Sequence, residues 1–189
     1  ISLKGQDKAI VEVNQQLGIL EGELFDNESY PRFSSKLNIQ NNFPLSVKKL
    51  EIFQVNIGYM CNQVCTHCHV DAGPDRKEIM TKDTMQQCLE AIKIAGAHTV
   101  DITGGAPEMN PNFRWFIEEL TKMGIDDIIV RSNLTIIVAN KKYRNLPEFF
   151  RMNNIHLISS LPCYTSRNVD KQRGEGVFNA SLEALKMLN

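Results

Sequence analysis

Apolar positions along this chain follow two spacings that alternate from residue 51 onward. Short runs of Ile, Val and Leu predict buried strands, and longer segments with apolar residues every three or four positions predict amphipathic helices. The predicted strands are 51–57, 98–103, 127–131 and 155–161, and the predicted helices are 81–96, 110–124, 147–153 and 177–189. The last three strands begin about 28 residues apart, as βα units do, so the pattern predicts an α/β fold with a mainly parallel sheet covered by helices.

Capping residues set the predicted helix ends. Thr81 and Gly96 flank the first helix of the alternating region. Asn110 is expected to cap the second helix, with Pro111 in its first turn and Gly124 at its end, because the N–H that proline lacks has no partner there. The final helix is expected to bury one face made of Phe178, Leu182 and Leu185.

The first fifty residues differ from the rest of the chain. Residues 6–20 predict a short amphipathic helix whose apolar face is Ile10, Val13, Leu17 and Leu20. A polar loop with two prolines follows, so we expect an N-terminal helix and extension over 1–50 and a separate core over 51–189. The chain begins at Ile1 rather than Met and stops inside a predicted helix, and we expect a fragment that lacks sequence at both ends.

Composition narrows the class of protein. A chain of 189 residues is too short for a complete eight-unit α/β barrel of roughly 250 residues. Hydrophobic residues make up 42% and charged residues 23%, which is typical of a folded protein and excludes intrinsic disorder. The net charge of −1 gives no long-range attraction for nucleic acid. The longest apolar run, 136–139, is far below the roughly 20 residues of a membrane span, so we expect no membrane partner.

Three of the five cysteines, Cys61, Cys65 and Cys68, lie within eight residues. An odd count clustered in this way favours a metal or reactive-thiol site in a reducing, cytoplasmic compartment over a disulfide framework. The spacing supplies three thiolates, whereas a closed iron–sulfur cluster or a structural zinc site uses four ligands. One coordination position would stay open on an iron–sulfur cluster. Alternatively, His67 or His69 could complete a zinc site.

Polar or glycine-rich loops follow all four predicted strands. The cysteines follow the first strand, and residues 104–108 (GGAPE) follow the second. Ser132 and Asn133 follow the third strand, and Ser160 and Cys163 follow the fourth. In parallel α/β folds the site lies at the C-terminal ends of the strands, so these loops predict one shared site.

Residues 54–74, QVNIGYMCNQVCTHCHVDAGP, and 103–108, TGGAPE, resemble radical S-adenosylmethionine (SAM) enzymes. The likeness runs from the first strand to Asn189, and within the superfamily it is closest to the radical SAM/Cys-rich group that includes the arsenosugar-biosynthesis enzyme. The resemblance implies a partial (β/α)6 TIM-like barrel, truncated here after about four βα units. The missing strands and a cysteine-rich region would follow Asn189.

The cofactors and reaction also follow from this resemblance. Cys61, Cys65 and Cys68 would hold a [4Fe–4S] cluster, whose fourth iron SAM would chelate, and an external flavodoxin- or ferredoxin-type reductant would supply electrons. Cleavage of SAM would give a 5′-deoxyadenosyl radical that adenosylates a small molecule, a methylated trivalent arsenical. The alternatives are hydrogen abstraction from another small molecule or a peptide, a zinc-binding module, and an iron–sulfur electron carrier.

The resemblance also implies which residues contact the cofactor. His67 precedes the third cysteine, where the family places a ring against the adenine. Gly104 and Gly105 match a loop whose backbone approaches the ammonium group of SAM, because glycine has no Cβ. Ala106 and Pro107 displace the usual glutamate, so either Glu108 or the backbone at Ala106 is expected to take over its contact.

Three further cofactor contacts are implied. Ser160, Asp170 and Arg173 resemble an arrangement that holds the ribose or the carboxylate of SAM, since arginine pairs well with carboxylates. Asn133 is expected to reach the same cofactor or to form an ordinary turn. Cys163 either faces the cavity or is incidental, and Cys88 is expected in the core.

Overall fold

The computed structural model describes residues 33–189, together with Gly5, Asn14 and Leu17. Asn14 and Leu17 are helical, and the rest of the predicted helix over 6–20 lies outside the described residues. Residues 33–49 and Leu50–Asn189 belong to two different compact units. Helix α1 (Phe33–Ile39) lies in the first of these units and has no buried residues.

The second unit alternates strands and helices. It contains four strands, β1 (Ile52–Asn56), β2 (Thr99–Thr103), β3 (Asp127–Ser132) and β4 (His156–Ser159). Its helices are α2 (Lys82–Ala95), α3 (Phe113–Lys122), α4 (Thr135–Ala139), α5 (Leu146–Met152), α6 (Ser166–Arg173) and α7 (Val177–Leu188), with 3-10 turns at Pro107–Met109 and Lys141–Tyr143. Among the described helices, none is both long and apolar enough to cross a bilayer.

The strands form one parallel sheet in the order β1-β2-β3-β4. Val55 pairs with Ile102, Ile102 with Val130, and Val130 with Leu157. Sequential strands therefore lie side by side with their C-terminal ends at the same edge, as in one segment of an α/β barrel. This arrangement confirms the α/β fold predicted from the strand spacing.

The two faces of the sheet differ in chemistry because side chains alternate along a strand. One face contributes Val55, Val100, Ile102, Ile128 and Val130 to the hydrophobic core, which it shares with α2, α3, α4 and α5. Phe113, Phe149 and Phe150 pack ring against ring in that core, with centroids 6.3–6.5 Å apart. The other face carries polar side chains at Gln54, Asn56, Asp101, Thr103 and Arg131.

Helix ends and faces follow the predictions only in part. Helix α2 has the predicted caps, since Thr81 Oγ1 accepts a hydrogen bond from Thr84 N and Gly96 is left-handed. The prediction for α7 is wrong by one position, because the helix buries Val177, Ser181 and Ala184 and leaves Leu182 37% exposed. Strand β4 is shorter than predicted, and α4 and α6 occupy segments without a predicted helix.

Asn110 makes the predicted capping contacts before α3, since its Oδ1 accepts a hydrogen bond from Asn112 N at 2.8 Å and its O accepts one from Phe113 N at 3.0 Å. Helix α3 begins at Phe113, and Asn110 ends the 3-10 turn Pro107–Met109. Its buried side chain donates hydrogen bonds to Ile57 O and Met80 O at 2.9 and 3.0 Å. Asn110 therefore joins the loop after β2 to the segments at both ends of the cysteine loop.

Candidate cofactor site

The loop after β1 carries Cys61, Cys65 and Cys68 and is held at its base by backbone pairing. Met60 bridges to Gly73 and Gly58 to Ile79, and Cys61 N donates to Gly73 O at 3.1 Å. These contacts close a long loop between β1 and α2 into a compact structure. The three cysteines are therefore positioned by backbone hydrogen bonds on both sides of the motif.

Arg76 stabilises the C-terminal part of this cysteine loop, before α2. Its guanidinium lies 4.8 Å from the centroid of the Tyr59 ring and donates to Asp71 O at 2.6 Å. It also forms a two-pronged contact with Glu78, whose pKa the Arg76 hydrogen bonds lower to about 2. Ion pair, ring stacking and backbone contact together stabilise the return of the chain toward α2.

The Gly-Gly loop after β2 fits directly against the cysteine loop. Gly105 N donates to Gly58 O and Ala106 N donates to Met60 O, both at 2.9 Å. A Cβ atom at Gly105 would lie 2.5 Å from Met60 O, and one at Gly104 would lie 2.6 Å from Gly58 O. Gly104 also has φ +151°, a value that favours glycine. Both glycines are thus required by packing, in addition to the cofactor approach expected from the sequence.

Each thiol has a distinct environment. Cys61 is buried and accepts hydrogen bonds from Gln63 N and Asn133 Nδ2, both at 3.4 Å. Cys68 accepts one from Ala72 N at 3.3 Å. Burial raises the pKa of Cys61 and Cys65, and the other thiols add to the shift at Cys61. A cationic metal centre would reverse this effect, because it stabilises thiolates.

The end of β3 is bound to the cysteine motif by a side-chain network. Asn133 Nδ2 donates to Asn62 Oδ1 at 2.8 Å, and Thr135 Oγ1 accepts from Asn62 Nδ2 and Gln63 Nε2 at 2.9 and 3.0 Å. Leu134 between them has φ +60° and ψ −49°, and Thr135 N reaches Asn133 O at 2.6 Å, which defines a tight γ-turn. This strained turn orients the side chain of Asn133 toward the Cys61 thiol.

Arg173 approaches the same thiols from α6. The residue is 7% exposed, and its Nη2 donates to Gln63 Oε1 at 3.1 Å. Burial raises the pKa of Cys65, and the Arg173 charge opposes this shift, which places the guanidinium near that thiol. Its Nε is buried with no hydrogen-bond partner among the described residues. A buried guanidinium with an unused donor fits an anionic ligand.

These groups line one cavity of about 290 Å³, which we call the thiol cavity. It brings together nine of the predicted site residues, Cys61, Cys65, His67, Cys68, Gly104, Gly105, Asn133, Ser160 and Arg173. Cys163 does not line it, and Cys88 packs against the hydrophobic core as expected. Asp170 also lies outside the lining, and its Oδ1 accepts from Phe178 N at 2.9 Å in the first turn of α7.

Ala106 and Glu108 do not line the thiol cavity. Ala106 is buried and its N–H is used by Met60. Glu108 is 5% exposed, and neither carboxylate oxygen has a hydrogen-bond partner in the part of the chain that the structure describes. Burial raises the pKa of Glu108 to about 7. The nearby Ser132 hydroxyl opposes this rise, although its Oγ has no hydrogen-bond partner among the described residues. The geometry thus gives Glu108 no contact with a ligand in this cavity.

Several residues of the site have no distinctive sequence signal. Gln63 and Arg131 both line the thiol cavity, and Thr135 joins the network beneath it. Gln63 could have been suspected from its place between Cys61 and Cys65. Arg131 occupies an ordinary strand position, and only the pairing of β2 with β3 shows which side chains surround it.

Two observations indicate that the residues present fit an iron–sulfur cluster and SAM. Three thiols of one loop border the thiol cavity together with N–H donors, and the buried Nε of Arg173 lacks a partner at the same place. Over residues 33–189 no three His, Cys, Asp or Glu side chains are close enough to hold a single metal ion.

Sequence comparison gives the family. The profile of the Radical SAM superfamily matches residues 55–189, so the chain belongs to that superfamily. A probable GTP 3′,8-cyclase of Saccharolobus islandicus (strain M.14.25 / Kamchatka #1) is 22% identical over 140 residues, 74% of this chain and 44% of the relative. The GTP 3′,8-cyclase of Psychromonas ingrahamii is 28% identical over 110 residues, 54% of this chain and 32% of the relative. The chain thus spans less than half of these relatives.

Solved structures give the same fold. Streptococcus suis SuiB bound to S-adenosylmethionine superposes with a TM-score of 0.62 at 16% identity, covering 92% of this chain and 41% of SuiB. The structure of anSMEcpe with bound AdoMet gives a TM-score of 0.58 at 17% identity, covering 74% of this chain and 40% of that protein. These likenesses confirm the partial TIM-like barrel. Membership of the superfamily implies an enzyme that uses a [4Fe–4S] cluster and SAM.

Proposed function

We propose that this protein cleaves SAM reductively at a [4Fe–4S] cluster held by Cys61, Cys65 and Cys68. One observation carries the proposal: three thiols of one loop border a single cavity, and neither Cys88 nor Cys163, the other cysteines, lines it. Three protein thiolates leave one iron of a four-iron cluster without a cysteine ligand. The amino and carboxylate groups of SAM are proposed to bind there.

A reduced cluster held by these cysteines would supply one electron to the sulfonium of SAM, and breaking the S–C5′ bond would give methionine and a 5′-deoxyadenosyl radical. The chain's own residues do the positioning. Arg173 supplies a buried cation, whose Nε has no partner among the described residues, for a carboxylate, and Ser160 offers a hydroxyl in the same cavity just after β4. His67 is exposed at the rim, where its ring can cover a nucleobase. The backbone N–H of Gln63 and the side-chain amide of Asn133 both donate to the Cys61 thiol.

The acceptor of the radical is proposed from the cysteine motif. By its likeness to the radical SAM/Cys-rich group, we propose that the 5′-deoxyadenosyl group is transferred to a methylated trivalent arsenical. Hydrogen abstraction from another small molecule or a peptide is the alternative for the same radical. Mass spectrometry separates these two, since adenosylation transfers the 5′-deoxyadenosyl group into the product, whereas hydrogen abstraction releases 5′-deoxyadenosine in proportion to turnover.

Single cysteine variants test the cluster. The full-length protein carrying Cys61→Ala, Cys65→Ala or Cys68→Ala, reconstituted anaerobically, is expected to lose the visible absorbance of the cluster and the formation of 5′-deoxyadenosine under dithionite. Cys88→Ala is the matched control, because Cys88 lies outside the thiol cavity, and it should retain both. Full activity in any of the three variants would refute the ligand assignment.

Metal analysis separates the remaining alternatives. A zinc-binding module would contain zinc without iron or sulfide after purification and reconstitution. An electron carrier would contain the cluster and fail to cleave SAM, because a side chain such as His67 or His69 would occupy the fourth iron. The proposed enzyme contains about four iron ions per chain and cleaves SAM.

A further inference from the structure

Arg131 extends from the end of β3 on the polar face of the sheet. Its guanidinium forms a two-pronged ion pair with Asp101 on β2, since Nε lies 2.9 Å from Oδ1 and Nη2 lies 2.9 Å from Oδ2. Gln54 on β1 donates to the same carboxylate at 2.9 Å. Three neighbouring strands therefore hold one guanidinium in a defined orientation.

The ion pair stays charged at neutral pH. Burial favours the neutral form of Asp101, but hydrogen bonds from Arg131 and Gln54 outweigh it, and the pKa of Asp101 lies below its ordinary value. The Asp101 side chain is 6% exposed, whereas that of Arg131 is 46% exposed. The carboxylate is thus shielded beneath its partner, and the guanidinium faces open space.

Part of the guanidinium is unused. Arginine has five N–H donors, and Asp101 engages only Nε and Nη2. Within residues 33–189, Nη1 has no hydrogen-bond partner. The edge formed by Nη1 and Nη2 points away from Asp101 and can form paired hydrogen bonds with a second oxyanion.

Two cavities meet at Arg131. Beside the thiol cavity lies a second one of about 540 Å³, the side cavity, lined by Gln54, Asn56, His69, Val70, Thr103 and Arg131. No cysteine and no part of the Gly-Gly loop lines the side cavity. Four of these residues, His69, Val70, Thr103 and Arg131, also border the thiol cavity. A molecule bound by Gln54, Asn56 and Arg131 would therefore lie next to the thiol cavity.

We propose that the side cavity binds the substrate and that Arg131 recognises an anionic group on it, a carboxylate or a phosphate. This inference rests on the proposed function, because it needs the thiol cavity to hold the cofactor. Arg173 already provides a guanidinium inside the thiol cavity, so Arg131 is available for a different ligand. An arsenical acceptor would meet the requirement as an adduct with a carboxylate-bearing thiol.

Anion binding tests the proposal directly. Inorganic phosphate and acetate are titrated separately into the full-length reconstituted protein with SAM present, and binding is followed by NMR. Wild type is expected to bind at least one of them, and Arg131→Gln is expected to bind it about tenfold or more weakly. Acetamide, which is uncharged, should not bind. The anion that binds distinguishes a phosphate-bearing from a carboxylate-bearing substrate.

Two further variants keep the result interpretable. Because Arg131→Gln leaves Asp101 buried without its cation, the double variant Asp101→Asn with Arg131→Gln removes both charges and should lose anion binding while folding normally. Arg144→Gln is the matched control, since Arg144 pairs with Glu183 on the surface far from either cavity lining. It should bind the anion as wild type does.

The outcome separates this inference from the proposed function. Cleavage of SAM under dithionite without substrate should persist in the Arg144→Gln control. Loss of SAM binding in the double variant would assign Arg131 to the cofactor and overturn the inference. Equal anion binding by wild type and double variant, binding of acetamide, or no anion binding by wild type would also overturn it. Failure of wild type to cleave SAM would instead refute the proposed function.

Discussion

Hydrogen bonds to the thiols are the feature of single residues that bears most on redox chemistry. Cys61 receives two N–H donors and Cys68 receives one, at 3.3–3.4 Å. Such donors stabilise negative charge on sulfur and therefore favour the reduced cluster. The side chain of Asn133 is the donor that can be removed by substitution, because the other two are backbone groups.

We expect Asn133→Ala to lower the reduction potential of the cluster, since the reduced state loses one stabilising N–H···S contact. A redox titration of the full-length protein followed by electron paramagnetic resonance measures this. Asn153→Ala is a suitable control, because Asn153 donates to Phe149 O away from the thiol cavity. A potential equal to that of wild type would show that the Asn133 contact does not persist around the cluster.

Glu108 is expected to make stability depend on pH. Its folded pKa of about 7 exceeds the ordinary value of 4.5, so the folded state holds a proton that the unfolded state releases. The contribution of Glu108 to the free energy of unfolding is therefore greatest below pH 4.5. About 3 kcal/mol of it is lost as the pH rises to about 7. Glu108→Gln should leave the free energy of unfolding unchanged at pH 4.5 and raise it at pH 8.

Chemical denaturation of wild type and Glu108→Gln at both pH values provides the measurement. Glu118→Gln serves as the control, because Glu118 is exposed on α3 and its substitution should have the same small effect at either pH. A stability difference between wild type and Glu108→Gln that does not grow with pH would show that Glu108 finds a partner or water in solution.

At the scale of elements, the site depends on the contact between the loops after β1 and β2. The Gly-Gly loop touches the cysteine loop so closely that a Cβ at Gly105 would lie 2.9 Å from both Tyr59 O and the Cβ of Ala72. Neighbouring backbone cannot move aside as a side chain can. The cysteine loop would therefore shift, and its thiols with it.

Gly105→Ala is accordingly expected to destabilise the protein by about 1–3 kcal/mol and to reduce the iron bound after reconstitution. Gly124→Ala is the matched control. Its φ of +73° makes alanine unfavourable, but nothing lies within 4 Å of the added Cβ, so it should lower stability without reducing iron content. Normal iron content in Gly105→Ala would show that the two loops can separate without affecting the thiols.

Elements with strong local signals were predictable from the sequence. The periodicity of α2 and its caps at Thr81 and Gly96 suffice to locate it. Asn110 also carries a capping signal, and its Oδ1 accepts from Asn112 N as that signal predicts. Its Nδ2 donates to Ile57 O and Met80 O, which lie far away in sequence, so this tertiary contact could not be predicted from the pattern. Helix α6 has few apolar residues and buries only Val169 and Arg173, so its pattern gave no signal.

At the scale of the whole molecule, the parallel order of the strands explains how much of the site could be predicted. Placing the C-terminal ends of four strands at one edge was enough to group the cysteines with Gly104, Asn133 and Ser160. The environment of Arg131 could not be predicted in this way, because it depends on the register that sets Asp101 and Gln54 beside it. The sequence predicts that either Glu108 or the backbone at Ala106 contacts the cofactor, and neither residue lines the thiol cavity.

We propose residues 1–50 and 51–189 as separate domains. The described chain passes from one compact unit to the other between Lys49 and Leu50, next to this proposed boundary, whereas Gly5 belongs to the same unit as Leu50–Asn189. Limited proteolysis of the full-length protein should cleave first within 40–50, where the chain has no helix or strand and its residues are exposed. First cleavage within 51–189 would contradict the proposed boundary.

The central claim is that three thiolates hold a cluster with one iron open to SAM. Electron paramagnetic resonance of the reduced, anaerobically reconstituted full-length protein tests it most directly, with and without SAM labelled with nitrogen-15 at the amino group. We predict a cluster signal that changes on addition of SAM and shows coupling to the labelled nitrogen. A signal that SAM leaves unchanged, or a centre containing zinc without iron, would contradict the claim.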